Sequence, residues 1–192
     1  MTNCGKIKEK EIAGQIVRGD ISAKKYLYSQ FAGYLTAVCS RYINEHEDVK
    51  DILQESFLKI FTSIGSFEYR GEGSLKAWLT KIVVNESLKF LKNTCRFNLI
   101  SLSEENKDIA YEEADIDGIP LSELHSMIRE LPVGYRTILN LFVFEEKSHK
   151  EIAAELNISE STSASQFHRA KKLLAEKIKK YNSTMLSIAY EE

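Results

Sequence analysis

Apolar positions in the first half of the chain recur at steps of three and four. In DISAKKYLYSQFAGYLTAVCSRYI, Leu27, Phe31, Tyr34, Val38 and Tyr42 form one stripe, the mark of a helix with a single buried face. A second helix follows Asp48, with Val49, Leu53, Phe57, Ile60 and Ile64 as its buried stripe. Asp51, Gln54, Glu55 and Leu58 repeat the spacing on another face, polar with one apolar residue. That face is either solvated surface or a docking face. Residues 66–74, SFEYRGEGS, break the pattern. Gly71 and Gly73 free the backbone, and Phe67, Tyr69 and Arg70 crowd around them. Ser74 is placed to cap the helix that follows, LKAWLTKIVVNESLKFLKN. This helix is apolar on most sides, which predicts a central position. One stripe stands out on it: Trp78, Lys81, Asn85, Lys89 and Lys92 put an aromatic, an amide and three amines on one face.

Residues 97–122 lose all sustained periodicity. They are acidic, contain Gly118 and Pro120, and read as a linker with at most short helical pieces. Four helices are predicted beyond it. LSELHSMIREL ends before Pro132, which suits the first turn of PVGYRTILNLFVF. SHKE, residues 148–151, is a capping-box pattern that opens KEIAAEL. Asn157 can take the left-handed conformation that ends that helix, and Ser159 can cap the next. The inner face of the last helix is predicted to be Ser163, Phe167, Ala170 and Leu174. With small Ala153 at the crossing, this is the helix-turn-helix plan. The expected fold is therefore all-α. It has two small helical domains, residues 1–96 and 123–182, joined by the linker at 97–122 and followed by a tail at 183–192.

Composition narrows the class of function. The hydrophobic fraction of 43% suffices for packed cores, and two prolines favour long helices. No apolar run approaches the ~18 residues of a membrane span, so no membrane insertion is expected. The N-terminal MTNCGKIKEKEIAG lacks the apolar core of a secretion signal. Cys4, Cys39 and Cys95 are far apart and odd in number, which favours free thiols in a reducing cytoplasm. The net charge of −2 conceals a pattern. Residues 1–96 carry +4, residues 97–130 carry −7 and residues 131–182 carry +3. Screening limits charge effects to about 10 Å, so each block acts on its own surroundings. Catalysis finds no support. His46-Glu47-Asp48 is not a metalloprotease motif, and His125, His149 and His168 lack ligand spacing. No metal, cofactor or catalytic residue is expected.

Three stretches, in order and spacing, resemble the sigma-70 family of bacterial RNA polymerase initiation factors, in its compact extracytoplasmic-function (ECF) form. DVKDILQESFLKIF resembles the polymerase-docking helix of region 2, and FEYRGEGSLKAWLTKIVVNESLKFLK its promoter-melting segment. LPVGYRTILNLFVFEEKSHKEIAAELNISESTSASQFHRAKKLL resembles region 4. The resemblance implies a cytoplasmic, non-enzymatic factor that binds core polymerase at its clamp coiled coil and flap. Such a factor recognises −10 and −35 promoter elements, helps open the strands and is commonly held by an anti-sigma partner. The family often has Lys and Arg where this chain has Ala164 and Gln166, and an aliphatic residue where it has Ser163. Those departures imply a light grip on upstream DNA.

Each motif then has two readings. Asp51, Gln54, Glu55 and Leu58 either face water or pair with basic residues of a partner helix. Phe67, Tyr69, Arg70 and Trp78 would give an unstacked base an aromatic wall, with Lys81, Lys89 and Lys92 on phosphates, while Trp78 has plain core packing as its other reading. Asn85 is an amide amid apolar turns, which predicts that it needs a partner, such as a base edge. Ser161, Thr162, Ser165 and Gln166 would meet bases or phosphates at a helix N-terminus, with Arg169 and Lys172 further along. The linker is a solvated tether, or by resemblance passes through the RNA-exit path. Fully extended it would reach ~85 Å, enough for elements some two turns of ~34 Å apart. A helix-turn-helix regulator acting without polymerase and a helical interaction protein stay open as alternatives.

Overall fold

The computed structural model describes residues 9–94 and 116–189. The linker at 97–122 falls outside them up to residue 115, as do Cys4 and Cys95. The chain divides into two compact units, Met1–Thr94 and Cys95–Glu192, and all regular structure among the described residues is helical.

The first unit contains α1 (Glu9–Val17), α2 (Ile21–Ser40), α3 (His46–Ser63) and α4 (Ser74–Asn93), with a short 3-10 turn at Ile64–Ser66. α2 starts where the Asp20 carboxylate accepts the Ser22 and Ala23 amides at 2.7 and 3.2 Å. Its buried side chains Leu27, Leu35 and Val38 meet Val49, Ile52 and Ile60 of α3 and Leu79, Val83 and Leu91 of α4 in the core. Each such side chain contributes about 1.5–3 kcal/mol on burial. α4 packs on α1, α2 and α3, as its near-continuous apolar surface predicts. Hydroxyls in this core bond back to their own helices, Ser56 to the Ile52 carbonyl at 2.7 Å and Ser87 to that of Val83 at 2.8 Å. Buried Glu86 accepts a hydrogen bond of 2.6 Å from Lys59 of α3. Cys39 is a free, buried thiol, and burial raises its pKa against the lowering effect of its Ser87 contact.

α1 is an element that the periodicity reading passed over. Its nine residues bury Ile12, Ala13 and Ile16 against α2, α4 and the 3-10 turn. The start of α4 also differs from expectation. The N-cap is Gly73, left-handed at φ 86°, and Ser74 is already the first helical residue.

The second unit contains α5 (Leu121–Arg129), α6 (Val133–Val143), α7 (His149–Leu156) and α8 (Glu160–Ala189). Ile128, Leu131, Tyr135, Leu139 and Ala170 form an apolar cluster, with Leu124, Phe167 and Leu174 packed against it. α6 is buried on nearly every side from Gly134 to Leu141, including Arg136, Thr137 and Asn140. The Arg136 guanidinium donates to the Arg129 carbonyl at the end of α5. Burial, with Arg129 nearby, lowers its pKa to about 10, so it stays charged at neutral pH. Pro132 stands at the N-cap position of α6, one residue before the first helical turn. α8 runs on to Ala189, through most of the segment expected as a tail.

Candidate nucleic-acid interface

The outer face of α3 is exposed as its spacing predicts: Asp51, Gln54, Glu55 and Leu58 all face solvent, Leu58 at 56%. Beside it runs a cleft of about 570 Å³ between α2 and α3, floored by Val49 and Phe57 and walled by Tyr28, Leu58 and Phe61. Tyr28 is 54% exposed, with its ring centroid 4.7 Å from that of Phe57. The face thus sets carboxylates beside an apolar slot. Tyr28 and Phe61 escaped the sequence reading, because only the packing of α2 on α3 brings them together.

The loop after the 3-10 turn and the first turns of α4 enclose a second cleft, about 530 Å³. Phe67, Arg70, Trp78 and Lys81 line it. Phe67 and Trp78 meet with ring centroids 5.7 Å apart at 57°, and Trp78 is half-buried, so it packs and still presents an edge to the cleft. Arg70 reaches Glu68 at 3.0 Å, with both side chains largely in solvent. Tyr69 lies apart from this group and lines a different cleft against α1, which Phe67 shares. Lys81, Asn85 and Lys89 are exposed in one row along α4. Asn85 is open to solvent, and the expectation that apolar neighbours leave its amide in need of a partner does not hold. Lys89 stands 3.7 Å from Glu86 while 65% exposed.

In the second unit the helix-turn-helix forms from the expected caps. Ser148 and Glu151 make both capping-box bonds, 3.3 Å from the Glu151 amide to the Ser148 hydroxyl and 2.8 Å from the Ser148 amide to the Glu151 carboxylate. The Ser148 hydroxyl, donating to the Glu151 carboxylate at 2.7 Å, and then the Ser148 amide lower the Glu151 pKa. Asn157 is left-handed at φ 57°, ψ 52°, and the Ser159 hydroxyl accepts the Thr162 amide at 3.0 Å. Ser159 also holds the hydroxyls of Ser161 and Thr162, at 2.8 and 2.7 Å. Much of the hydroxyl capacity at the start of α8 is thus committed locally. Ser161 and Ala164 are exposed; Thr162, Ser165, Arg169 and Lys172 are half-buried. Buried Ser163 sits 3.0 Å from His149 Nδ1, and that ring stacks on Phe142 at 4.7 Å. A histidine partner explains a serine at an inner position.

Gln166 corrects the sequence reading. It is fully buried, and neither its amide nitrogen nor its oxygen has a hydrogen-bond partner among the described residues. At about 100° per residue it lies roughly 40° from buried Ala170 and 100° from Ser165 around the helix. Gln166 therefore belongs to the core side of α8 and cannot touch DNA. Ser161, Ser165, Arg169 and Lys172 fall within roughly 80° of one another and form the outward face. Among the described residues no group of His, Cys, Asp and Glu could hold a metal ion, and no helix is long and apolar enough to cross a membrane.

Comparison with known proteins follows the same division. Residues 27–96 match the family Sigma-70 region 2, and residues 121–174 match Sigma-70, region 4. The ECF RNA polymerase sigma-E factor of Haemophilus influenzae is 28% identical over 185 residues, covering 90% of this chain and 96% of that protein. The RNA polymerase sigma factor SigV of Bacillus subtilis is 29% identical over 138 residues, 69% of this chain and 77% of that one. Among solved structures, the sigma factor RpoE of Bartonella quintana, in complex with the anti-sigma factor NepR, covers 81% of this chain at 22% identity with a TM-score of 0.49. The exposed α3 face, the aromatic cleft and the helix-turn-helix occupy the two matched segments in family order, and the chain belongs to the sigma-70 family, in its ECF group.

Proposed function

We propose that this protein binds core RNA polymerase, directs it to −10 and −35 promoter elements and promotes strand opening. The observation that carries the reading is the pairing, within one small unit, of an acidic docking face on α3 with an aromatic and cationic cleft on α4. A helix-turn-helix regulator needs neither.

In this reading Asp51, Gln54 and Glu55 pair with basic side chains of the polymerase clamp coiled coil, and Leu58 enters its apolar seam beside the Tyr28 slot. The flap receives the second unit. A base taken from the duplex loses stacking and pairing worth a few kcal/mol. Stacking on an aromatic wall returns about 1–3 kcal/mol per base, and Phe67 with Trp78 supplies that wall. Lys81 and Lys89 hold the phosphates of the extruded strand, and Asn85 reads a base edge. At the upstream element α8 enters the major groove, with Ser161, Thr162 and Ser165 near the bases or phosphates and Arg169 and Lys172 on the flanking backbone. Its N-terminal amides carry partial positive charge and favour phosphate without a lysine. The factor works in the cytoplasm, without cofactor or metal, and leaves nucleotide chemistry to the polymerase. An anti-sigma protein covering the α3 face would compete with core enzyme.

The test is reconstituted transcription on genomic promoter fragments. Specific run-off products only when the chain and core polymerase are both present are expected. Tight, specific duplex binding by the chain alone, with no transcripts, would make it a regulator instead.

A further inference from the structure

α4 begins without a cap of its own. Gly73 stands at its N-cap, left-handed and without a side chain. The Ser74 hydroxyl has one proton, and its shorter contact, 2.7 Å to the Gly71 carbonyl, takes it. The missing cap comes from 64 residues away. Glu9, the first residue of α1, accepts the Gly73 amide on Oε1 at 2.9 Å and the Leu75 amide on Oε2 at 3.0 Å. These are two of the donors that a helix start leaves unsatisfied, and a carboxylate there also meets the positive end of the helix dipole.

The same helix holds the other end of the loop. α1 packs on the 3-10 turn at Ile64–Ser66, with Val17 against Gly65, where a Cβ would lie 3.9 Å from Val17 Cγ2. A cleft of about 530 Å³ lined by Ala13, Val17, Ile64, Phe67 and Tyr69 lies between α1 and the start of the loop. Residues 67–73 are thus fixed at both ends by one nine-residue helix. Gly71 and Gly73, at φ 131° and 86°, give that loop little stiffness of its own.

The geometry points to α1 as a splint that presets the loop for the extruded strand, with Glu9 as its positioning residue. Glu9 touches no DNA in this arrangement. It acts through the backbone that aims Phe67 and Arg70 at Trp78 and Lys81. The inference rests on the reading of that cleft as the strand-capturing site.

The test uses the full-length chain bound to core polymerase. The probe is a single-stranded DNA oligomer carrying the non-template strand of a promoter that the chain drives. Glu9→Ala is expected to weaken oligomer capture about fivefold, the equilibrium factor of a typical helix cap. It should speed amide exchange at Gly73 and Leu75 by a similar factor and leave core binding unchanged. Glu9→Gln keeps one acceptor oxygen for the two amides and loses the charge, so it should restore only part of the capture. Trp78→Ala separates this inference from the reading beneath it. Capture lost in Trp78→Ala but intact in Glu9→Ala overturns the splint and spares the cleft. Capture intact in both removes the cleft itself, and the splint with it. Equal loss of core and oligomer binding in Glu9→Ala would reduce Glu9 to a general support of the fold and overturn its positioning role.

Discussion

On α4 the exposed row carries Lys81, Asn85 and Lys89 beside an aromatic pair. On α8 the first two turns present Ser161, Ala164 and Ser165, and the first Lys or Arg is Arg169. Affinity for nucleic acid comes mainly from neutralised phosphates, so in the proposed function α4 would grip and α8 orient. The cores differ in the same sense. Ser56 and Ser87 in the first unit bond back to their own helices, whereas the second buries the Gln166 amide with no hydrogen-bond partner among the described residues. A buried polar group left unsatisfied costs about 1–3 kcal/mol. In the proposed function the second unit therefore has the lighter DNA face, and it carries this cost at Gln166.

The comparison breaks first at Arg136. Its guanidinium joins the end of α5 to α6, so Arg136→Ala should cost the second unit about 2–3 kcal/mol. Amide exchange in α6 and α8 would report the loss, and unchanged protection there would deny this side chain its role. On the gripping side, Trp78→Ala should reduce single-strand capture by about 1–3 kcal/mol with duplex binding little altered. An equal loss on duplex would mean that Trp78 only packs. Asn85→Ala should slow strand opening and weaken capture by about 1 kcal/mol. Core binding should stay intact, and its loss would contradict the assignment of this face.

Two smaller changes sharpen the contrast from the α8 side. Gln166→Leu removes the buried amide at similar volume. It should stabilise the second unit by about 1 kcal/mol and leave promoter specificity unchanged. Changed specificity would return Gln166 to the DNA face, against its burial. Ala164→Lys adds a base on the outward face. The logarithmic salt slope of DNA binding should steepen by about 0.9 for the one added phosphate contact. An unaltered slope would show that α8 approaches DNA by another side.

Much of this was readable before any coordinates. The α3 and α4 faces follow from steps of three and four, and the helix-turn-helix follows from Ser148, Glu151, Asn157 and Ser159, all local signals that act within one turn. What escaped was non-local or short. α1 spans only nine residues, too short for a periodic signal, and Glu9 finds its donors in a loop 64 residues away. Ser74 looked like the cap because local rules favour serine, yet a distant carboxylate does the work. Gln166 misled because a glutamine is usually exposed; its angle around α8, close to Ala170, carried the contrary information. Tyr28 and Phe61 became partners in a cleft only once α2 and α3 were packed.

The division of labour between the two readers is tested most directly by DNA affinity with and without polymerase. Duplex carrying the upstream element is titrated with the chain alone and with the chain bound to core enzyme, beside an unrelated duplex. The account predicts that the free chain binds the two duplexes equally and weakly, while the polymerase-bound chain selects the upstream element and protects the downstream one. Tight, selective binding of the upstream duplex by the free chain would contradict it.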